Sequence, residues 1–553
     1  LISKLNKLGN SLRSLFLENL SNLLLYITIY IFLGPSTFSF HVWFYFHGYL
    51  ITTFTVLTVV LDFFLQKKEK IKKSNQYLLN RLVLWTLFVM VLGYQQVYQT
   101  TLDLSLVVYF FHHLFILYSD IPNFLYQWNL WQWIGLVIGY YLILNQEVLD
   151  LKKDWVKFLF CLLLFVSFRC VSDLVSPNTI QNPNLLTSTS RPKTELQSIT
   201  GTPNIVLVLL EGVPRKHLSK LKSRYIDYSK LSGSHFWIPM PHTSKSLFTW
   251  MTGESQLSNT RMQLNDSLLD SSLPKLLETK YGYQTEMIYT QSIYFEGMEQ
   301  FFPKIFGVVL DKSELEKKYG SLHSSFSWGM DDRVILPSIK QISEKENKPI
   351  FLFLGLSQTH SPYFVSKKKF DGQWKSPFDR YMESLLEDVE VLDSIISYLK
   401  ENFSRDTIVI LSADHGESFG EEGAHAHNYS LFNQETDVPF LLYFVKSGQI
   451  YIPKSGSSIH FKNTILNLLA PNVLQGDQLK QTNFFKSNYQ LDLVLKTWNS
   501  EIQKSWITNE KKYIYHSDRD LLLEMDFAEE KRREVTDPKL KQRVLDHIHA
   551  EIR

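Results

Sequence analysis

The run Thr407-Ile408-Val409-Ile410-Leu411-Ser412-Ala413 is rich in β-branched residues and stops abruptly at Asp414-His415-Gly416-Glu417. A short, continuous apolar run without polar alternation reads as a strand buried on both faces, as in a parallel sheet covered by helices. In such sheets ligands gather beyond the carboxyl ends of the strands. An Asp and a His side by side there supply a hard and a borderline ligand for a divalent cation. An isolated Asp-His-Gly would fit a surface turn equally well. The balance shifts because a second run, Asn204-Ile205-Val206-Leu207-Val208-Leu209-Leu210, delivers Glu211 in the same way. Two strand ends that present acidic and imidazole groups point to one metal site.

The first third of the chain is of a different kind. No Lys or Arg occurs between Arg13 and Lys67, nor between Arg81 and Lys152. A membrane span needs about 20 mostly apolar residues, and segments 15–34, 43–65, 82–99, 128–145 and 155–172 approach or meet that standard. Segment 104–118 is also apolar but carries His112 and His113 near its centre, which hydrocarbon disfavours. Charge arbitrates. The basic clusters Lys4–Lys7–Arg13, Lys67–Arg81 and Lys152–Lys157 all fall on one side if there are five spans, and the positive-inside rule makes that side the cytoplasm. Five spans are therefore expected within 1–173, with 104–118 interfacial or re-entrant. No small-residue cleavage site follows the first apolar run, so no cleaved signal peptide is expected.

The rest of the composition excludes more than it assigns. A net charge of +2 over 553 residues gives no bulk electrostatic case for nucleic-acid binding. Cys161 and Cys170, the two cysteines, both lie in one apolar segment, so no disulfide framework or cysteine-rich zinc site is expected. Residues 174–203 are rich in Ser, Thr, Pro and Asn and read as a linker. From 204 to 553, strand-like runs at 204–210, 284–289, 350–355, 407–412 and 439–445 alternate with helical patterns at 245–252, 330–345, 380–401 and 460–469. Alternation of this kind predicts an α/β fold with a mostly parallel sheet flanked by helices. Segments 512–515 and 521–525 read as an antiparallel hairpin, and 538–551 as a closing helix.

In Pro241-His242-Thr243-Ser244-Lys245-Ser246-Leu247, hydroxyl residues cluster just ahead of an apolar run that ends at Thr252-Gly253. Such residues cap helix N-termini. A helix N-terminus also binds anions, and a hydroxyl next to a metal there would be an activated nucleophile.

Taken in order, Glu211, the Thr243-Ser244-Lys245-Ser246 segment, Thr359-His360-Ser361-Pro362-Tyr363, Asp414-His415-Gly416-Glu417 and His427 resemble the alkaline phosphatase/sulfatase superfamily. With five preceding spans, the chain most resembles its lipoteichoic acid synthase and phosphoethanolamine transferase branch. The resemblance implies an alkaline phosphatase-like sheet and one divalent ion, manganese or zinc, with magnesium or calcium as alternatives. Glu211, Asp414 and His415 would be metal ligands, and Thr243 both ligand and nucleophile. Ser244 is the rival one residue away. His360 and His427 would hold phosphoryl oxygens; His425 has no matching position. Asp332, Arg380 and Asp388 also resemble family positions, although helix pairing would explain them equally well. Two features depart from relatives. Formylglycine sulfatases require Cys or Ser followed by Pro and Arg, which Thr243-Ser244-Lys245-Ser246-Leu247 lacks. Lipoteichoic acid synthases share a Trp-Asn-Arg segment, where this chain reads Ser292-Ile293-Tyr294-Phe295-Glu296.

The resulting expectation is a multi-pass plasma-membrane protein of the cell envelope with an extracytoplasmic catalytic domain. It would transfer a lipid-derived phospho-headgroup, through a covalent phospho-threonine, to a glycan, a lipid or water. The alternatives are a phosphate- or sulfate-ester hydrolase and a degenerate, non-enzymatic membrane sensor or scaffold.

Overall fold

The computed structural model describes residues 193–553 apart from 257–261, 327, 344–347, 362, 367–375, 472–481, 498–502, 518 and 553. The expected membrane spans lie outside these residues. Among the described residues no helix is long and apolar enough to cross a membrane.

Seven strands form the central sheet: β1 (Asn204–Leu210), β2 (Gln284–Tyr289), β3 (Val308–Leu310), β4 (Ile350–Leu356), β5 (Thr407–Ala413), β6 (Phe440–Phe444) and β7 (Gln449–Tyr451). Their order is β7-β6-β5-β1-β4-β2-β3. The first five strands in sequence pair in parallel; β6 and β7 extend the sheet antiparallel. The α/β class and the mostly parallel sheet expected from the alternating pattern are both present.

Every residue of β1, β4 and β5 is buried, and each fully buried aliphatic side chain stabilises by roughly 1.5–3 kcal/mol. That burial drives the strands together but does not choose their register, because both faces are apolar and a one-residue slip exposes neither. Asn204 supplies a polar constraint. Its Oδ1 accepts from the Ile350 N–H at 3.0 Å and its Nδ2 donates to Thr407 Oγ1 at 3.3 Å, so the three strands start level. They also finish level, with Leu210 opposite both Leu356 and Ala413. Glu211, Ser357 and Asp414 therefore leave the sheet side by side.

Helix α1 (Thr243–Thr252) is buried along its whole length. It stops at Gly253, whose φ of 70° lies in the left-handed region that glycine enters without steric cost. Helix α2 (Pro377–Asn402) starts with Ser376 accepting from the Asp379 N–H and with proline in its first turn, a start signal at both levels. Tyr381, Leu385, Val389, Leu392, Ile396 and Leu399 of α2 are buried.

The C-terminal part is more extensive than the expected hairpin. Strands β8 (Leu493–Lys496), β9 (Gln503–Ile507), β10 (Lys512–His516), β11 (Leu521–Met525) and β12 (Arg532–Glu534) form a five-stranded antiparallel sheet, of which the expected hairpin is β10–β11. Helix α3 (Pro538–Ile552) closes it, with Val544 and Ile548 packed in one cluster with Val494, Tyr513 and Leu522. At the other end, Leu196 and Ile199, within the stretch read as linker, are buried in the main core.

Candidate metal centre and nucleophile

The level strand ends put three ligand-type side chains at one point. His415 Nε2 lies 3.2 Å from Glu211 Oε1 and 3.4 Å from Asp414 Oδ2. The ligand atoms of the three residues all lie within 4.8 Å of one another, and all three residues are buried. The N-terminus of α1 adds the hydroxyl. Thr243 Oγ1 donates to Glu211 Oε1 at 3.2 Å and lies 3.1 Å from His415 Nε2.

These residues fit a divalent cation. Asp414 Oδ1 accepts from the backbone N–H groups of Gly212 at 3.0 Å and His415 at 2.7 Å. Its Oδ2 is buried without a hydrogen-bond partner, which is costly for a carboxylate oxygen unless something positive faces it. His415 Nδ1 lies 3.0 Å from the Gly416 carbonyl. That oxygen can only accept, so Nδ1 carries a proton and Nε2 is the nitrogen turned toward the cluster. Three oxygens and one imidazole nitrogen make a ligand set of the kind that divalent cations take. Gly416 is required by the turn, since a Cβ there would overlap the Gln434 carbonyl.

The electrostatics agree. Burial would raise the Glu211 carboxyl, but the hydrogen bond and charge of His415 outweigh it and hold it at about 2. Burial would lower His415, yet Asp414 and Glu211 push it up to about 10. Asp414 is driven well above the carboxylate range by burial and by the Glu211 charge.

Ser244, the rival hydroxyl, points elsewhere. It donates to Glu296 Oε2 at 2.6 Å, and the same oxygen lies 2.9 Å from His242 Nε2. Burial works against the Glu296 charge, but His242, Ser244 and Lys245 keep its carboxyl below the usual range. Glu296, with its φ of 49°, had no sequence signal beyond lying in the stretch that departs from Trp-Asn-Arg.

The two outer histidines flank the centre. The His427 ring is 4.1 Å from that of His415 and 6.2 Å from that of His360. His360 Nδ1 lies 2.7 Å from the Ser361 carbonyl, which can only accept, so Nδ1 is committed as a donor. Ring contacts continue from His360 to Trp328 and on to Phe295 and His242, making an aromatic arc around the Thr243 side. Glu417 is a second residue not assigned a role from sequence. It forms a further ligand-type trio with His415 and His427.

Behind the His360 loop sits a buried acid pair. Asp332 accepts from the backbone N–H groups of Ser357 at 3.0 Å and Gln358 at 2.8 Å. Asp388 Oδ2 accepts from Thr359 Oγ1 at 3.4 Å, and its Oδ1 is buried without a partner. Both carboxyls are fully buried and their charges interact, so surface helix pairing is not their role. Burial raises Asp332 to about 6 and, with the Asp332 charge, raises Asp388 well above the usual range. A raised folded pKa means the native state holds the proton more tightly. This stability is complete below the ordinary value of 3.8 and is lost as pH rises through about 6 and beyond. Asp388→Asn replaces the shared proton with an amide donor. It is expected to increase stability by about 1–3 kcal/mol at about pH 8 and to change little at about pH 4. Urea midpoints at the two pH values check this; a variant less stable at the higher pH would show that the pair is not proton-sharing.

Residues 203–471 match the family model for sulfatases. No curated protein matches the chain. Among solved structures, the chain is similar to the lipoteichoic acid synthase LtaP from Listeria monocytogenes, at 17% identity over 63% of this chain and 91% of that one, TM-score 0.47. It is similar to a protein in the alkaline phosphatase superfamily from Vibrio parahaemolyticus, at 16% identity over 65% and 89%, TM-score 0.46. It is also similar to the C-terminal periplasmic domain of EcEptC from Escherichia coli, at 16% identity over 55% and 92%, TM-score 0.42.

Proposed function

We propose that the chain, whose residues 203–471 match the sulfatase family model, is a metal-dependent phosphotransferase that takes a phospho-headgroup from a membrane lipid through a phospho-threonine at Thr243. The observation that carries this reading is the convergence of the Thr243 hydroxyl with Glu211 and His415, beside the orphaned Asp414 oxygen. Glu211, Thr243, Asp414 and His415 would hold one divalent ion. When bound, such an ion would lower the pKa of the hydroxyl and neutralise developing phosphoryl charge.

The chain's own residues supply the rest. Thr243 is held at the first position of a buried helix, so its oxygen is aimed at the substrate with little rotamer freedom to lose. It attacks phosphorus and displaces diacylglycerol; an acceptor alcohol or water then releases the headgroup. His360 and His427, flanking the centre, steady the phosphoryl oxygens. A lipid donor is favoured by the apolar first third, because a soluble ester needs no membrane anchor. The basic clusters favour an extracytoplasmic domain, which would have no access to cytoplasmic nucleotides.

The test places the full-length protein in liposomes with labelled phosphatidylglycerol and phosphatidylethanolamine and follows diacylglycerol release. Release from one lipid, with transfer of its headgroup, is the expected result. Release from neither, alongside turnover of a soluble aryl phosphate or sulfate, would establish an ester hydrolase instead.

A further inference from the structure

His427 is held from outside its own loop. Its Nδ1 lies 2.8 Å from Glu417 Oε2, and Glu417 Oε1 accepts from the Tyr363 hydroxyl at 2.9 Å. The Glu417 side chain is 3% exposed, so both of its oxygens are engaged in a dry environment. Tyr363 has a φ of 64°, a region that a bulky side chain enters only against steric resistance. Its ring is wedged against Tyr381 at 5.5 Å and Phe419 at 5.7 Å. Tyr381 in turn donates to the Gly212 carbonyl at 2.9 Å, one residue from Glu211. The Tyr363 loop, itself braced by Tyr381 and Phe419, thus meets His427 at the Glu417 carboxylate.

An imidazole offers two nitrogens, and the hydrogen bond made by one decides how the other is presented. We propose that Glu417 and Tyr363 are positioning residues that commit His427 Nδ1 to the protein and turn Nε2 toward the group transferred at Thr243. The inference rests on the phosphotransferase reading of this site and adds to it a fixed orientation for one substrate-holding histidine. A side chain displaced by about 1 Å from its productive position can lose about 100-fold in rate. That is the size of effect expected when the carboxylate is removed.

The experiment uses the full-length, manganese-loaded protein as wild type, Glu417→Ala, Glu417→Gln and Tyr363→Phe. Nitrogen-15 spectra of the histidines, with His427 assigned by its loss in His427→Gln, report the ring directly. Wild type and Glu417→Gln should show one fixed hydrogen-bonded tautomer, and Glu417→Ala an averaged one. An unchanged His427 signal in Glu417→Ala would overturn the proposal. In the liposome reaction, Glu417→Ala should lower kcat about 100-fold with KM little changed, and Glu417→Gln should restore most of it. Tyr363→Phe should fall between them. Loss of bound manganese in Glu417→Ala would make Glu417 a metal ligand and overturn the positioning role. If Glu417→Ala does not fold, equal and complete loss in Glu417→Gln and Tyr363→Phe overturns it, whereas a mild loss in both with the tautomer kept supports it. A wild type that releases no diacylglycerol refutes the transferase reading, while the nitrogen spectra still decide the orientation.

Discussion

Thr243→Ala is expected to abolish turnover, by roughly four orders of magnitude or more on the scale of nucleophile deletions, while the protein keeps its divalent ion. The two halves of this result have different causes. Catalysis is lost because the attacking oxygen is gone. Metal is kept because Glu211, Asp414 and His415 form a three-point set without the hydroxyl. Ser244→Ala is the control with the sharpest contrast. The Ser244 hydroxyl donates to Glu296, on the other side of the helix start, so its loss should change turnover by less than about tenfold. Kinetics and metal content of the two variants settle the assignment. An active Thr243→Ala beside a dead Ser244→Ala would move the nucleophile by one residue.

The second large effect concerns the ion. Chelation is expected to lower the thermal midpoint of the wild type, because a ligand present at a thousandfold over its Kd stabilises the native state by about 4 kcal/mol. Asp414→Asn should lose stoichiometric metal and activity together, since it replaces the carboxylate of the cluster whose outer oxygen has no hydrogen-bond partner. Its stability supplies a finer test. Without a cation, Asp414 sits buried beside the Glu211 charge and is pushed well above its ordinary pKa. Replacing that carboxyl with a neutral amide should leave the variant no less stable than the chelated wild type, though less stable than the metal-loaded one. A structural ion pair predicts the opposite ordering, because breaking a buried pair leaves an uncompensated charge. Metal analysis with thermal melts of the three samples distinguishes these cases. No bound metal and no effect of chelation would favour a non-enzymatic scaffold.

Much of this architecture is legible along the chain because its causes are local. Asn204–Leu210, Ile350–Leu356 and Thr407–Ala413 are short runs of mostly apolar residues bounded by turn-forming or polar ones, and their length and β-branched or aromatic content favour strand over helix. Ligand identity is local too: a carboxylate or imidazole directly after a buried strand has only the strand-end crevice to enter. Length and apolar spacing likewise specify α2 over Pro377–Asn402. What adjacency in sequence cannot encode is direction around a helix start and contact between distant loops. Thr243 and Ser244 are chemically interchangeable neighbours, but successive helical side chains diverge by about 100°, so only the packed helix decides which hydroxyl meets Glu211 and which meets Glu296. Glu296, Tyr363 and Glu417 belong to loops with no periodicity to read, and Asp332 finds Asp388 across 56 positions of chain. The outer strands of the C-terminal sheet were hidden for a related reason. The Arg532–Glu534 strand is exposed and charged throughout, so its identity comes from backbone pairing with Leu521–Met525 and not from any burial pattern of its own.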